Sequence, residues 1–269
     1  MIWSLSDPFA SLPRSEFAPA GRRSLRVHGV DTELLWLPER RHRRGRPIEQ
    51  RPALAPDFGA RIVETETVWS DGEVALTPNR HPFAARQVIV WRRDFVREPD
   101  AALLTAGTVL TGAGHGTLLV NTIGAAASIV RSHAHLVGER LGFLDALRFE
   151  PVTPTAFEVR AEVSIEQAAE PFPILLLRIR GPREARVDTA LALARHRTSP
   201  AFNLIDDGTS TWFCPRPIEV PAPFFPQALG SAELWGRWCW DDEDAFRSAT
   251  AGDLEAALAM AGAPRSARI

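Results

Sequence analysis

The sequence feature that most constrains the fold is a long uncharged stretch from Ala101 to Val130. It contains no Asp, Glu, Arg or Lys, and its length is compatible with a membrane span. It is also rich in Thr and Gly and includes His115 and Asn121, whose transfer into hydrocarbon is costly. We therefore expect this stretch to form the interior of a soluble, cytoplasmic protein that has no membrane partner.

The pattern on both sides of this stretch predicts an α+β fold. Pro99 lies near the predicted start of a helix that ends at Gly112, where closely spaced glycines begin. Further helices are predicted over 183–196 and 253–260, the last one ending before Gly262. Runs rich in β-branched and aromatic residues predict strands over 61–69, 73–76, 86–91, 116–120, 132–137, 157–163, 174–179, 201–205, 211–214 and 233–240.

The chain divides into a Pro- and Arg-rich N-terminal extension, residues 1–60, and a domain over 61–269. We expect the extension to pack on the core or to cover it as a lid. Its densest charge run, Glu39 to Arg46, is typical of a solvated loop, and the alternative is a lid that contacts a polyphosphate or an RNA. Within the domain, Asn79 and Asn203 each begin a segment that runs through a strand to an Arg, which indicates two halves of related design.

The charge and composition exclude several classes of function. The net charge is −2, so no overall basic field attracts nucleic acid, and none is expected as a partner. All 31 basic residues are Arg, and the chain has neither Lys nor Tyr. Schiff-base chemistry, a P-loop lysine and a tyrosine acid are therefore excluded. Two cysteines, Cys214 and Cys239, are too few for a disulfide framework or a zinc knuckle.

The pair His133 and His135 is the strongest candidate for chemistry. On a strand, residues i and i+2 point to the same face, so both imidazoles would share one side of the sheet. From the residues alone, three interpretations stay open: a zinc site, which would need further ligands, two ordinary core or surface histidines, or a nucleophile oriented by its neighbour. The preceding small-residue loop, with Gly124 and Ser128 after Asn121, favours the nucleophile because its amides can approach an anion.

These residues also resemble a known family. The run from Leu119 to Ile129, followed by His133-Ala134-His135, is similar to the active-site segment of the transferase branch of the histidine-triad superfamily. That branch includes galactose-1-phosphate uridylyltransferase, diadenosine tetraphosphate phosphorylase and the GDP-hexose phosphorylases, and the last group resembles this chain most. Three further segments agree with the branch in the same order along the chain: 79–91, 202–216 and 232–244.

The resemblance implies a fold of two related half-barrel units, with an antiparallel sheet and flanking helices. It implies a cytoplasmic nucleotidyltransferase of the phosphorylase type that cleaves a GDP-hexose-like nucleoside diphosphate sugar through a covalent nucleotidyl-histidine. His135 is expected to attack the phosphorus, and His133 to orient the ring. The substrate-binding residues that it implies are Asn121, Gly124, Ser128, Arg131, Asn79, Arg80, Arg216 and Glu233, with no metal and no cofactor.

The expected partners are a nucleotide or nucleotide-sugar substrate and phosphate or a phosphorylated acceptor, and a homodimer is expected because dimers are frequent in the superfamily. Two alternatives remain: a dinucleoside polyphosphate phosphorylase or hydrolase, and a nucleotide-binding protein that has lost catalysis. The chain departs from the family pattern at three places, and the first of them motivates the second alternative. Val137 stands where the family has a phosphoryl-binding Gln, Gln87 replaces a His, and the spacing from Ser128 to His133 is about two residues too long.

Overall fold

The computed structural model describes residues 6–10, 17–43 and 56–267, and its largest element is a ten-stranded antiparallel sheet. The strand order is β3-β4-β5-β7-β6-β11-β12-β10-β9-β8, so β6 and β11 meet at the centre. The strands are β3 (Trp69–Ser70), β4 (Val74–Pro78), β5 (Gln87–Arg92), β6 (Thr117–Asn121), β7 (His133–Val137), β8 (Phe149–Pro151), β9 (Ser164–Ala168), β10 (Leu177–Arg180), β11 (Ala201–Asp206) and β12 (Ser210–Arg216).

The sheet consists of two units with the same topology. From the edge to the centre, each unit places its strands in the chain order first, second, third, fifth, fourth. Helix α2 (Ala101–Gly112) connects the third and fourth strands of the first unit, and α4 (Arg183–His196) does so in the second. The units join through β6 and β11, where Asn121 pairs with Asn203. The predicted arrangement of two related units with an antiparallel sheet and flanking helices is confirmed.

Helices α2 and α4 cover one face of the sheet. Helix α2 begins as predicted because the Asp100 carboxylate accepts the Leu103 backbone N–H at 3.0 Å. The apolar side chains of both helices pack against alternate residues of the central strands, which include Leu118, Ala134 and Phe213. Gly116 has a φ of +110°, and a Cβ there would lie 1.9 Å from the Val137 carbonyl oxygen, so only glycine permits this approach of β6 to β7.

A second layer covers much of the opposite face. It contains the hairpin β1 (Gly21–Val27) and β2 (Val30–Trp36), with β13 (Arg237–Trp240) pairing parallel to β2. The large core between this layer and the sheet includes Trp235, Trp238 and Trp240. The layer is completed by α3 (Phe143–Ala146), α5 (Ser231–Leu234), α6 (Glu243–Ser248) and α7 (Ala251–Ala261).

Three local predictions are wrong. Most of the predicted strand over 61–69 is instead part of helix α1 (Pro56–Glu66), and only Trp69 is in a strand, β3. Ile62 and Val63 pack in one cluster with Trp91, and this packing overrides their β propensity. No strand covers 157–163, and β9 begins at Ser164. The predicted strand over 233–240 begins instead as α5 and becomes β13 only after a turn at Gly236, whose φ is +101°.

The N-terminal hairpin belongs to the second layer, since β2 pairs with β13 near the other end of the chain. A short 3-10 helix, Pro38–Arg43, follows it. Helix α1 spans residue 60, so the domain boundary predicted there stays a prediction. The Glu39 to Arg46 run lies partly outside the described residues. Over the described ranges, no helix has the length and apolarity that a membrane span requires.

Candidate active site

His133 and His135 lie on the face of β7 that is turned away from α2 and α4. Between them, Ala134 points into the helix-covered core, as strand alternation requires. The two imidazole ring centroids are 5.6 Å apart and the rings meet edge to face at 80°. Each residue is only 6% exposed. The predicted convergence of the two rings on one side of the sheet is present, in a largely enclosed setting.

The surroundings of His133 define which of its nitrogens carries a proton. Its Nδ1 lies 2.8 Å from the carbonyl oxygen of Arg131, which can only accept, so Nδ1 must donate. The ring stacks on Trp91 with centroids 4.7 Å apart, and the indole N–H of Trp91 donates to Thr77 at 2.8 Å. When the ring of His133 is neutral, its lone pair is therefore on Nε2.

His135 has the opposite arrangement. Its Nδ1 lies 3.1 Å from the side-chain nitrogen of Gln87, which is a buried residue on the neighbouring strand β5. The Gln87 oxygen accepts the Phe83 backbone N–H at 2.9 Å, and this bond determines which way the amide is turned. Gln87 therefore donates to Nδ1 of His135, and the neutral ring carries its proton on Nε2.

Asn121 is brought to the same face. Extending the β6–β7 register by one residue places it opposite His133, since Val120 pairs with Ala134. Its Oδ1 accepts from Asn203 Nδ2 and from the Ser231 backbone N–H, both at 2.8 Å. Because its oxygen is held in this way, the amide of Asn121 has a defined orientation, as a substrate-binding residue requires.

The loop from 122 to 132 connects Asn121 to His133 and contains Gly124 and Ser128. Three amides of its small-residue part, 124–128, already donate within the protein. Those of Ala125 and Ala127 bond to the Thr122 carbonyl, and that of Ala126, whose φ is +75°, bonds to the Glu219 carboxylate at 3.1 Å. These three N–H groups therefore act in shaping the loop, and the predicted contribution of Gly124 and Ser128 to binding stays a prediction.

Three of the predicted binding residues bond elsewhere. Arg131 is 7% exposed, and its guanidinium donates to the backbone carbonyl of Arg92 at 3.1 Å. Asn79 accepts the His81 backbone N–H at 3.0 Å, in the loop after β4. Arg80 is exposed and pairs with Glu66 of α1 at 2.8 Å. None of these three bonds involves an imidazole ring of the pair.

Arg216 is completely buried at the end of β12. Its guanidinium donates to Asn203 Oδ1 at 2.6 Å and to the Ala261 and Ile218 carbonyls at 3.0 Å each. Burial lowers the pKa of this guanidinium below its usual value. Arg216 therefore orients Asn203, which in turn orients Asn121, and its link to a substrate is indirect.

Glu233 is buried at the start of α5. Its carboxylate accepts the Gly230 backbone N–H at 2.8 Å and so stabilises the N-terminus of its own helix. Burial raises the pKa of this carboxyl, and the Gly230 hydrogen bond and the charge of Arg40 oppose the rise. A role for Glu233 in sugar binding stays a prediction.

Sequence reasoning missed several residues that organise the site. Val137, already noted as a departure from the family pattern, is fully buried in the core shared with Leu119 and Phe83 and offers no polar donor. Arg237 of β13 donates to the Phe83 carbonyl at 3.1 Å and pairs with Glu139 and Glu33, both at 2.6 Å. No spacing in the sequence marks Arg237, which lies between Trp235 and Trp238, as part of a site. Gln87, by contrast, was visible as a departure from the family pattern.

Two cavities lie away from the histidine pair. One is lined by Phe157, Leu193 and Phe213 beside α4, and another lies between α2 and α4 near Leu104 and Val187. Both are on the helix-covered side of the sheet. Over the described ranges, no three His, Cys, Asp or Glu side chains group as metal ligands would.

Solved structures show the same fold. Yeast Ap4A phosphorylase Apa2 in complex with Ap4A matches with a TM-score of 0.63 at 16% identity, over 92% of this chain and 90% of that one. A second crystal structure of yeast Apa2 matches with a TM-score of 0.63 at 17% identity, over 91% of this chain and 87% of that one. No protein-family model and no curated protein matches the sequence. The chain therefore shares its fold with Ap4A phosphorylase, a member of the histidine-triad transferase branch that its sequence motifs resemble.

Proposed function

We propose that this protein is a nucleotide phosphorylase that transfers a nucleotidyl group from a phosphoanhydride substrate to inorganic phosphate or another phosphorylated acceptor. The preferred substrate class is a nucleoside diphosphate sugar of the GDP-hexose type. The single observation that carries the proposal is the enclosed pair of imidazoles on β7, with Asn121 beside it, at the junction of the two units.

The pair has the chemistry that such a transfer requires. A neutral imidazole is a good nucleophile near pH 7, and it leaves well from phosphorus. In the first step, an imidazole nitrogen of the pair forms a bond to the α-phosphorus, and the bond between that phosphorus and the bridging oxygen breaks. The sugar phosphate leaves with the electron pair. In the second step, a phosphate oxygen attacks the same phosphorus, the P–N bond breaks, and a nucleoside diphosphate is released.

The enclosed setting supports this chemistry. Donors in a site that excludes water stabilise developing charge on a phosphoryl group far more than donors in bulk water do. Asn121 is a suitable donor because its oxygen is occupied by Asn203 and Ser231, which leaves its orientation defined. The sequence-based assignment gives the attack to His135 and ring orientation to His133.

A second candidate substrate is a dinucleoside polyphosphate. The observation that favours it is the fold shared with a phosphorylase whose crystal structure contains Ap4A. The same two steps would apply, except that a nucleotide and not a sugar phosphate would leave first. Only the group beyond the cleaved bond distinguishes the two candidates.

The experiment is a substrate screen with isotopically labelled inorganic phosphate. Nucleoside diphosphate hexoses and Ap4A are incubated with the protein, and the products are separated. Transfer to phosphate places the label in the newly formed nucleoside diphosphate, whereas attack at the sugar carbon would place it in the sugar phosphate. We expect label in the nucleoside diphosphate, dependent on both substrate and protein.

The matched control is Cys214→Ala, which removes a buried side chain from the second unit and leaves the histidine pair intact. It should give the same product distribution. Binding of nucleotides without any labelled product would contradict the proposal and would support the alternative of a nucleotide-binding protein that has lost catalysis.

A further inference from the structure

We infer that His133 is the nucleophile, and that His135, held by Gln87, is the N–H donor to the transferred phosphoryl group. This inference rests on the proposed function and reverses the roles that the sequence motif implies. It follows from the hydrogen bonds at the two Nδ1 atoms, which give the rings opposite proton positions.

An imidazole that attacks through Nε2 must have its proton on Nδ1. His133 meets this condition, because the Arg131 carbonyl accepts from its Nδ1 at 2.8 Å. Once Nε2 is bonded to phosphorus, the ring is cationic, and the stacked indole of Trp91 stabilises it, as aromatic faces stabilise cations. The Nδ1 proton stays in place through both steps, so no proton has to move on this ring.

His135 does not meet the condition. Gln87 donates to its Nδ1, so the Nε2 nitrogen is protonated and has no lone pair with which to attack. Turning the Gln87 amide over would bring its NH₂ group against the Phe83 N–H, and both groups would lose an acceptor. Phe83 cannot easily give way, because its carbonyl is held by Arg237, which is itself paired with Glu139.

The locked ring is instead suited to donate. An Nε2–H held in one orientation can bond a phosphoryl oxygen as negative charge develops there, which is the contribution of a preorganised donor. Val137, the next residue along this face of β7, is buried in hydrocarbon and cannot supply such a donor. Gln87 is thus a positioning residue, and His135 and His133 divide donation and attack between them.

The first test measures the proton positions without any substrate. Long-range ¹H–¹⁵N spectra of the full chain are recorded at about pH 8.5, two units above the ordinary histidine pKa, with His133→Asn and His135→Asn variants for assignment. We expect Nδ1–H for His133 and Nε2–H for His135. The reverse pattern, or Nδ1–H on both rings, would overturn the inference, whether or not the protein turns over any substrate.

The second test locates the covalent intermediate. The protein is incubated with an α-labelled substrate without phosphate, then digested above neutral pH because P–N bonds are labile in acid. We expect the label on His133. His133→Gln should give no adduct, while His135→Gln, which keeps an N–H donor, should stay within about tenfold of the wild-type rate and His135→Ala should lose about 10²–10³-fold. Label on His135 would overturn the inference.

The third test uses Gln87→Glu, which changes one atom type without changing shape. A carboxylate would still accept from Phe83 and would also accept from Nδ1 of His135, so the neutral ring would carry its proton on Nδ1 and a lone pair on Nε2. We expect adduct formation on His133 to fall about as far as in His135→Ala. Gln167→Glu, the same change on β9 of the second unit, is the control. A rise in rate with Gln87→Glu would show that His135 is the nucleophile.

Failure of the proposed function has a different signature. In that case no nucleotidyl adduct forms on any residue, and no labelled nucleoside diphosphate appears, yet the spectra still report the two proton positions. The inference about the rings and the proposal about the reaction therefore fail separately.

Discussion

The two units of the ten-stranded sheet have the same topology but different chemistry. In the first unit, the face of β7 turned away from the helices carries His133, His135 and Val137. The same face of β12, the equivalent strand of the second unit, carries Trp212, Cys214 and Arg216. The first set contains two imidazole rings. The second set packs the core and, through Arg216, donates to backbone carbonyls.

The difference shows how two units of the same topology can have different roles, one carrying the histidine pair and the other orienting Asn121. The second unit supports the first through a chain of bonds: Arg216 holds Asn203, and Asn203 holds Asn121 beside His133. Substitutions in the two units should therefore have different consequences. In the first unit they should affect the reaction directly, and in the second mainly the stability of the fold and, through Asn203, the orientation of Asn121.

The largest expected effect comes from removing both rings. The double variant His133→Ala/His135→Ala should lower nucleotide turnover on the order of 10⁴-fold or more, because it removes attacking group and donor together. Labelled-phosphate transfer measures the loss, and urea unfolding checks that the fold persists. Equal turnover in the double variant and in Cys214→Ala would break the comparison between the units.

A smaller effect, on stability, is expected from Arg216→Met. It leaves Asn203 and the Ala261 and Ile218 carbonyls without their buried donor, which should lower the free energy of unfolding by about 2–5 kcal/mol. Equilibrium urea unfolding gives the value. Arg26→Met, at an exposed position, is the matched control and should change stability little. A tolerated Arg216→Met would mean that the second unit does not depend on this anchor.

The smallest effect concerns alkaline pH. Burial raises the pKa of Cys214 and of Cys239 to about 12, with Arg216 and Arg40 respectively opposing the rise. An unfolded thiol ionises near pH ~8.5, so from there up to about 12 the unfolded chain binds fewer protons and stability falls as pH rises. Between about pH 9 and 10 the loss should be about 1 kcal/mol per thiol.

Lys and Tyr ordinarily titrate near pH ~10. Because the chain has neither, their ionisation does not contribute to the pH dependence of stability in this range. Unfolding curves of the wild type and of Cys214→Ala/Cys239→Ala, recorded at each pH, isolate the thiols. The double variant should show a flatter dependence between pH ~9 and ~12. The same steep fall in both proteins would show that ionisation of these two thiols in the unfolded chain does not cause the loss of stability.

Much of the fold could be predicted because its signals are local. The helix that begins after Pro99, the helix over 183–196 and the stop at Gly262 depend on nearby residues, and all are present. Helix α1 could not be predicted from its β-branched residues, since its helical form depends on packing against Trp91, which is distant in sequence. The hairpin β1–β2 was missed for a similar reason, as its partner β13 lies near the other end of the chain.

The candidate site was predictable in its location but not in its detail. Alternation on a strand placed both imidazoles on one face, as the structure shows. Which ring attacks depends on Gln87 and on the Arg131 carbonyl, and neither contact leaves a trace in residue spacing. With His133 as the nucleophile, the spacing from Ser128 to the nucleophile is no longer two residues too long. His135 then lies two residues after the nucleophile, where the family has its Gln.

The seam between the two units has one more consequence. The Thr122 hydroxyl and the Phe202 backbone exchange two hydrogen bonds, at 2.7 and 2.9 Å, and Asn203 reaches the Ala125 carbonyl. The loop leading into His133 is therefore shaped by a strand of the other copy. The first unit produced alone would lack these bonds, and we expect its loop into His133 to lose this conformation.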